Sequence, residues 1–318
     1  MEFKNELMNI MYGFFHLLVA FTAIVVVSTL MGFNLPSAFF FAGISTIIFH
    51  IFTGNKLPSF LGVSGLYIGS IMAVNSAYGP EYVGYGVVAA GILYVIMACI
   101  VYKYPNFIGK YLPEWLMATA VILIGLSLIS IGASISNGNI LLAGITFASL
   151  ASFDLINNKF LNYIKFPLAI GIGILTAVLL GIQIVPQTVA LELVRQNKFN
   201  LGAIITIMLF AIPTIMEMLG DTKNITSIAK VNIYDIGWHR VFLGNGLAVI
   251  ISGLFGSAPY TTYSENASFL ITSDKKNPNI QLYAALFAIC LAFITPLFGW
   301  IAAIPAPIFG SQNCHFIQ

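Results

Sequence analysis

The sequence is poor in charge. Only 8% of its 318 residues are Asp, Glu, Lys or Arg, where a soluble domain carries about 25%. Thirteen basic and eleven acidic side chains cannot solvate the surface of a soluble protein of this size. That excludes a soluble enzyme and a disordered chain. A net charge of +2 gives no basic footprint for nucleic acid. Cysteine is also scarce. Cys99, Cys290 and Cys314 are scattered, so there is neither a disulfide framework nor a zinc site. No H-E-x-x-H or other paired metal motif occurs, which argues against a membrane-embedded metalloenzyme, and no cofactor is called for. What the chain does have is apolar surface: 59% hydrophobic residues and a mean hydropathy of +0.94. The class is an all-α polytopic membrane protein.

A bilayer core of about 30 Å needs ~20 apolar residues per helix. Eleven spans are expected, near 11–31, 36–52, 60–78, 83–102, 113–131, 139–153, 164–185, 200–221, 240–256, 258–273 and 280–304. With the N-terminus placed in the cytoplasm, all thirteen Lys and Arg except Arg195 and Lys198 fall on the inner side. That asymmetry satisfies the positive-inside rule and supports the span count. The apolar run after Met1–Ile10 is too long for a cleaved signal peptide, so the first span is expected to remain as an anchor.

Two spans do not read as simple helices. The third opens with Pro58, Ser59, Phe60, Leu61, Gly62, Val63, Ser64, Gly65, Leu66 and Tyr67. The tenth opens with Gly256, Ser257, Ala258, Pro259, Tyr260, Thr261, Thr262, Tyr263, Ser264, Glu265 and Asn266. Both are rich in Pro, Gly, Ser and Thr and are expected to start extended and turn helical afterwards. Non-helical backbone at membrane depth is tolerated only where it is buried in protein or lines a cavity. Gly65 and Ser264 lie 199 residues apart, and the third and tenth spans are seven apart. Seven is odd, so a second repeat would be inverted in the membrane. Its half-helix N-termini would then face those of the first repeat across one cavity.

Three acids fall inside spans: Glu217, Asp221 and Glu265. An ionisable residue there costs roughly 2.5–3.5 kcal/mol or more and marks a functional site by default. Glu217 and Asp221 are spaced i,i+4 on one helix face. Two stacked carboxylates cannot both ionise cheaply, so one is expected to hold a proton. Glu265 follows the broken start of span ten, where a helix dipole favours its anion. The apolar run of span eight stops near Leu219, so Asp221 also reads as a helix end reaching water. His16, in span one, reads either as a packed core residue or as a ligand. His50, at the inner end of span two, reads as interfacial.

Several segments carry a resemblance. They are Met216-Glu217-Met218-Leu219-Gly220-Asp221, Gly237-Trp238-His239-Arg240, Gly244-Asn245-Gly246, Ser252-Gly253-Leu254-Phe255-Gly256-Ser257 and Thr261-Thr262-Tyr263-Ser264-Glu265-Asn266, with Gly54-Asn55-Lys56-Leu57-Pro58-Ser59 further upstream. Together they resemble the nucleobase:cation symporter-2 family of the nucleobase-ascorbate transporter superfamily, and within it the uracil permeases. The resemblance covers nearly the whole chain. It implies fourteen spans in two inverted repeats of seven. It implies a core domain in two parts, 1–110 and 199–304, and a gate domain whose first part is 111–198. It implies uracil held between the two short strands. Glu217 would accept the ring N–H groups. Glu265 would be the second, proton-coupled carboxylate, and the main-chain amides of Gly65 and Ser264 would bind the ring oxygens. Tyr263 belongs to the same signature, and Asp221 and His16 stand at the family's proton-coupling positions.

The family usually has an aromatic residue where Gly65 stands, so Leu66 or Tyr67 would have to substitute for it here. A His common after the span-eight Glu is Met218. Residues 305–318 read as the start of a twelfth span followed by an aberrant polar tail. On this reading the chain is C-terminally truncated, with about eleven of fourteen spans. The expected function is uracil:proton symport across the cytoplasmic membrane. A purine permease, or a transport-inactive fragment that only binds ligand, is the alternative. The partners called for are a nucleobase, protons, the lipid bilayer and, as an open option, a second copy of the chain.

Overall fold

The computed structural model describes residues 2–112, 115, 119, 122, 126, 132–156 and 158–313. The fifth expected span, 113–131, lies outside the described residues apart from four positions, as does the tail from residue 314.

The first two spans follow from simple local rules. Helix α1 runs Glu2–Met31 and turns at Gly32, whose φ of +74° suits only glycine without strain. Helix α2, Leu35–Thr53, is capped by Asn34, whose side chain accepts the Ser37 N–H at 3.0 Å. It ends on Gly54 in the left-handed region, with the Asn55 N–H returning to the His50 carbonyl at 2.8 Å.

The third span is broken as expected. Strand β1 (Leu61–Val63) leads into a single tight turn at Gly65–Tyr67 and then helix α3 (Ile68–Ala77). Helix α4, Val83–Lys103, follows, then the short α5 (Phe107–Tyr111), α6 (Ile140–Asp154) and α7 (Lys159–Leu179). At 15 residues α6 is about 22 Å long, short for a bilayer core. The seventh span was expected over 164–185, but the helix stops at Leu179 and the chain runs without regular structure over 182–200.

The eighth span differs most from its expected bounds of 200–221. It consists of α8 (Leu201–Leu209) and α9 (Ala211–Ala229), broken at Phe210. Pro213 has no N–H to offer the Leu209 carbonyl, which ends the first ladder there. The second helix outlasts the apolar run because its polar residues face protein rather than water: Asp221, Thr222 and Thr226 are all buried. Asp221 is therefore not at a helix end, and Glu217 sits in mid-helix.

Helices α10 (Ile233–Ile236) and α11 (Trp238–Leu254) follow. The tenth span is again broken, with strand β2 (Tyr260–Thr262) before helix α12 (Glu265–Ser273). The eleventh span, expected as one helix over 280–304, is two: α13 (Asn279–Ala292) and α14 (Thr295–Ala302), bent by 83°. Pro296 supplies no N–H and restricts Thr295 before it, so the helix cannot continue straight. Helix α15, Ala306–Asn313, closes the described chain. Among the described residues four helical stretches are long and apolar enough to cross a membrane: Lys4–Met31, Leu35–Thr53, Pro80–Lys103 and Leu201–Ala229. The bent α13–α14 pair makes a fifth.

The packing has inverted-repeat logic. Under a seven-span exchange, the pair α4–α11 maps onto α13–α2, and these are the two most extensive helix contacts. Both seams close over glycine. A Cβ on Gly91 of α4 would stand 2.8 Å from the Gly246 carbonyl of α11, and one on Gly43 of α2 would stand 2.5 Å from the Ala285 carbonyl of α13. Helices that touch backbone to backbone in this way associate through packing rather than side-chain burial.

Loop contacts also agree with the alternation of spans. Lys198, ahead of span eight, pairs with Glu81, between spans three and four, at 3.1 Å. On the opposite side, Asn55 donates to Asn279 at 2.7 Å and Lys56 to the Asp235 carbonyl at 3.4 Å. Each contact joins loops assigned to one membrane side.

Candidate functional site

The two strands pair directly with each other. They are antiparallel, with Leu61 opposite Thr262, Gly62 opposite Thr261 and Val63 opposite Tyr260. The Ser64 N–H extends the ladder to the Pro259 carbonyl at 3.0 Å. A ligand therefore has no room between the strands themselves. The space implied for it lies where the strands give way to α3 and α12.

A two-stranded ladder leaves outer backbone groups unpaired, and at membrane depth these need partners. Thr46 of α2 accepts the Leu61 N–H at 2.9 Å. Asn266, in the first turn of α12, does the most. It accepts the Phe60 N–H at 2.8 Å and donates to the Phe60 carbonyl at 2.9 Å, to Ser59 Oγ at 3.1 Å and to the Tyr263 carbonyl at 3.1 Å. One side chain thus ties the first broken segment to the second. His50 holds the approach to β1, with Nε2 at 2.9 Å from the Ser59 carbonyl and Nδ1 at 2.8 Å from Asn55 Oδ1. Because a carbonyl only accepts, Nε2 carries a hydrogen. His50 is only 2% exposed, so it is a buried clamp and not the interfacial residue expected from its place at the span end.

The carboxylates converge on this crossing. Glu217 projects from the middle of α9, and Ser64, at the end of the first extended segment, donates its hydroxyl to Glu217 Oε2 at 3.0 Å. Glu265 opens α12 and lies within electrostatic range of Glu217, and Asp221, one turn further along α9, lies within electrostatic range of both. None of the three has an ion-pair partner among the described residues. Asp221 Oδ2 has no hydrogen-bond partner among the described residues. Glu217 and Glu265 are half-buried and keep some accessible surface. The N–H groups of Gly65 and Ser264, each ahead of its helix, bond no backbone carbonyl.

The aromatic residues are sorted by the structure. The Tyr263 ring lies flat on β1, where a Cβ on Gly62 would be 2.8 Å from its Cζ. Only glycine permits that approach. Tyr67 is 1% exposed and its hydroxyl, directed toward Thr214 and Glu217, meets no partner in hydrogen-bonding geometry. His16 is fully buried and stacks on Phe269 of α12, with ring centres 4.3 Å apart at 14°. Among the described residues neither nitrogen makes a well-formed hydrogen bond, although the Asn266 side chain lies beside the ring, and no hydrogen bond or ion pair joins it to the carboxylates. Its environment is that of a packed core residue.

Sequence reasoning missed Thr46 and Tyr94 as members of this region, and it gave Ser64 and Thr261, which stand in the two broken segments, no role of their own. Hydroxyls in apolar runs are too common to single out. Asn266 stood in the signature, but its bracing role needed the fold. A cavity of about 810 Å³ lies elsewhere, with apolar walls that include Phe21, Ile174, Trp300 and Phe309 and none of the acids. Among the described residues no three His, Cys, Asp or Glu gather as a metal site.

The geometry agrees with comparison to known proteins. The model of the Permease family (Xan_ur_permease) matches residues 7–315. The chain belongs to this family. It is 29% identical to the uracil permease of Escherichia coli strain K12, over 94% of this chain and 73% of that protein. It is 26% identical to the uric acid permease PucJ of Bacillus subtilis strain 168, over 82% of this chain and 63% of that one. In fold it is similar to the transmembrane domain of a cyanobacterial bicarbonate transporter, BicA, with a TM-score of 0.77 at 14% identity, covering 100% of this chain and 91% of that one. The permease is thus a multi-pass membrane transporter of the nucleobase class and not an enzyme.

Proposed function

We propose that this permease carries uracil together with a proton. The observation that supports this is the meeting of Glu217 and Glu265 where two broken helices begin, with no basic partner beside them. A pyrimidine edge alternates N–H donors with carbonyl acceptors. Glu217, steadied by Ser64, is suited to accept ring N–H. The free amides of Gly65 and Ser264 are suited to the flanking oxygens. A dry site that matches donor to acceptor rejects analogues lacking either. Three carboxyl groups without cations cannot all be ionised in such a place, so one or more travels protonated. In this reading Glu265 and Asp221 exchange the coupled proton, Tyr67 and Tyr263 wall the substrate, and His16 supports α12 by stacking.

Residues 1–110 and 199–304 then form the substrate-bearing body, and residues 111–198 belong to the gate against which it moves. The uric acid permease among the relatives makes a purine the second reading. The glutamate at 265, where the resemblance associates purine carriers with Gln, favours the pyrimidine.

The test is uracil binding to purified protein alongside xanthine, and radiolabelled uptake into proteoliposomes with and without a protonophore. Glu217→Gln removes a charge-assisted acceptor for up to two N–H donors, each worth about 1.5–3 kcal/mol. The expected loss in affinity exceeds about 100-fold. Wild-type affinity in that variant overturns the assignment of Glu217. Glu265→Gln is expected to flatten the pH dependence of uptake, and an unchanged profile removes it from the proton path.

A further inference from the structure

We propose that Tyr94 of α4 is a specificity-determining residue of the substrate site, donating its phenolic O–H to an exocyclic oxygen of the bound nucleobase. This rests on the nucleobase reading above and extends it to a helix that contributes none of the residues discussed there. Tyr94 is completely buried, and its hydroxyl makes no well-formed hydrogen bond among the described residues. Its backbone is fixed by the glycine seam: a Cβ on Gly246 of α11 would stand 2.9 Å from Tyr94 Cβ. Its ring packs against Phe242, with centres 6.3 Å apart. From there the hydroxyl reaches the strand crossing, beside the Thr261 hydroxyl and within electrostatic range of Tyr67 and Glu217. Among the described residues Thr261 Oγ1 and the Tyr67 hydroxyl are also buried without a well-formed hydrogen bond, Thr261 facing Tyr94 and Tyr67 facing Thr214.

Three buried hydroxyls therefore lie within electrostatic range of one another near Glu217, contributed by α4, β2 and the turn after β1; Tyr94 and Thr261 can share only one hydrogen, so the pair keeps one donor unmet. Burying a hydroxyl without a partner costs about 1–3 kcal/mol in proteins. Phe would fill the same volume on α4 without that cost. A group of donors left unmet in a native interior calls for a polar atom that arrives from outside. Glu217 takes a ring N–H, and in a pyrimidine dione each such N–H is flanked by a carbonyl oxygen. A donor cluster beside the acceptor is the complement that arrangement needs. Sulfur is a weak acceptor, so a thio-analogue reports on the contact.

The experiment compares wild type with Tyr94→Phe for binding of uracil, 2-thiouracil and 4-thiouracil to the full chain in detergent. Wild-type binding of uracil comes first, and its absence refutes the nucleobase reading rather than the role of Tyr94. Given binding, Tyr94→Phe is expected to weaken uracil about tenfold and to leave one of the two thio-analogues nearly unaffected, collapsing the preference for oxygen at that one ring position. Equal weakening of all three ligands means that Tyr94 only supports packing, and overturns the proposal. Unchanged affinity for all three overturns it as well. The melting temperature of Tyr94→Phe is expected to equal or exceed that of wild type, because the substitution removes an unsatisfied group and no packing volume.

Discussion

Asn266 is the place to test whether the strand crossing is held from its side rather than by its own short ladder. Its amide oxygen takes one N–H, and its nitrogen faces three acceptors with two hydrogens, so one hydrogen is shared. Three effective hydrogen bonds at about 1 kcal/mol give roughly 3 kcal/mol. The membrane average of about 0.6 kcal/mol per bond would give roughly 2. Asn266→Ala also strands the N–H and C=O of Phe60, a fully buried residue, and that penalty raises the estimate toward about 5 kcal/mol. The loss is therefore expected between about 2 and 5 kcal/mol, at least a roughly 30-fold shift in the unfolding constant. Denaturant unfolding in detergent measures it. Ser268→Ala, an exposed change on the same helix, serves as control and is expected within about 0.5 kcal/mol of wild type. Asn266→Asp keeps the acceptor for Phe60 N–H but loses both donors and sets a buried carboxyl group against the Phe60 and Tyr263 carbonyls, so it is expected to lose at least as much as Asn266→Ala. If Asn266→Ala unfolds like the Ser268 control, the brace is decorative and the reasoning fails.

Three further outcomes follow from contacts already described. Gly62→Ala puts a methyl 2.8 Å from Tyr263 Cζ and 3.0 Å from both Cε atoms, so a rigid ring must move. Uracil affinity is expected to fall at least tenfold while the protein still folds, as judged by binding and size-exclusion profile. Gly91→Ala drives a methyl against the Gly246 carbonyl at 2.8 Å and the Ile250 nitrogen at 2.8 Å. Backbone cannot yield there, and a stability loss of about 1–3 kcal/mol is expected in the same unfolding assay. Ser64→Ala removes the hydroxyl on Glu217 Oε2, a bond to a charged or acidic group worth about 1.5–3 kcal/mol. Titration calorimetry is expected to show uracil binding weakened about 10- to 100-fold, and an unchanged constant would separate Ser64 from the site.

The features legible in the sequence are those fixed by local chemistry. Scarce charge declared the membrane, and Pro, Gly and hydroxyl residues at 58–67 and 256–266 declared two broken helices because no side-chain partner can make such segments continuous helix. The acids at 217 and 265 were legible because a carboxylate inside an apolar run has few reasons to be there. What was not legible depends on which way a polar residue faces. Hydropathy ended span eight near Leu219 because Asp221, Thr222 and Thr226 look like residues that reach water, yet they face protein and the helix continues to Ala229. The bend at Pro296 escaped for a different reason: hydropathy averages across a proline, although residue type alone marks it as a helix break.

His50 and His16 show the limit from the other side. Position alone made one interfacial and left the other open to a proton role. In the structure the first clamps the Ser59 carbonyl, and the second lies against Phe269 with neither nitrogen in a well-formed hydrogen bond among the described residues. A histidine in an apolar helix is read by what its nitrogens meet, and that is a property of the tertiary fold. The same holds for Tyr94. An apolar stretch with one phenol reads as apolar, and only the meeting of α4, β2 and α9 turns its hydroxyl into an unsatisfied donor beside a carboxylate. Residue type locates the chemistry of this permease along the chain. Which of those residues act together is decided where two interrupted spans cross, because that is where each backbone group without a ladder partner has to find a side chain.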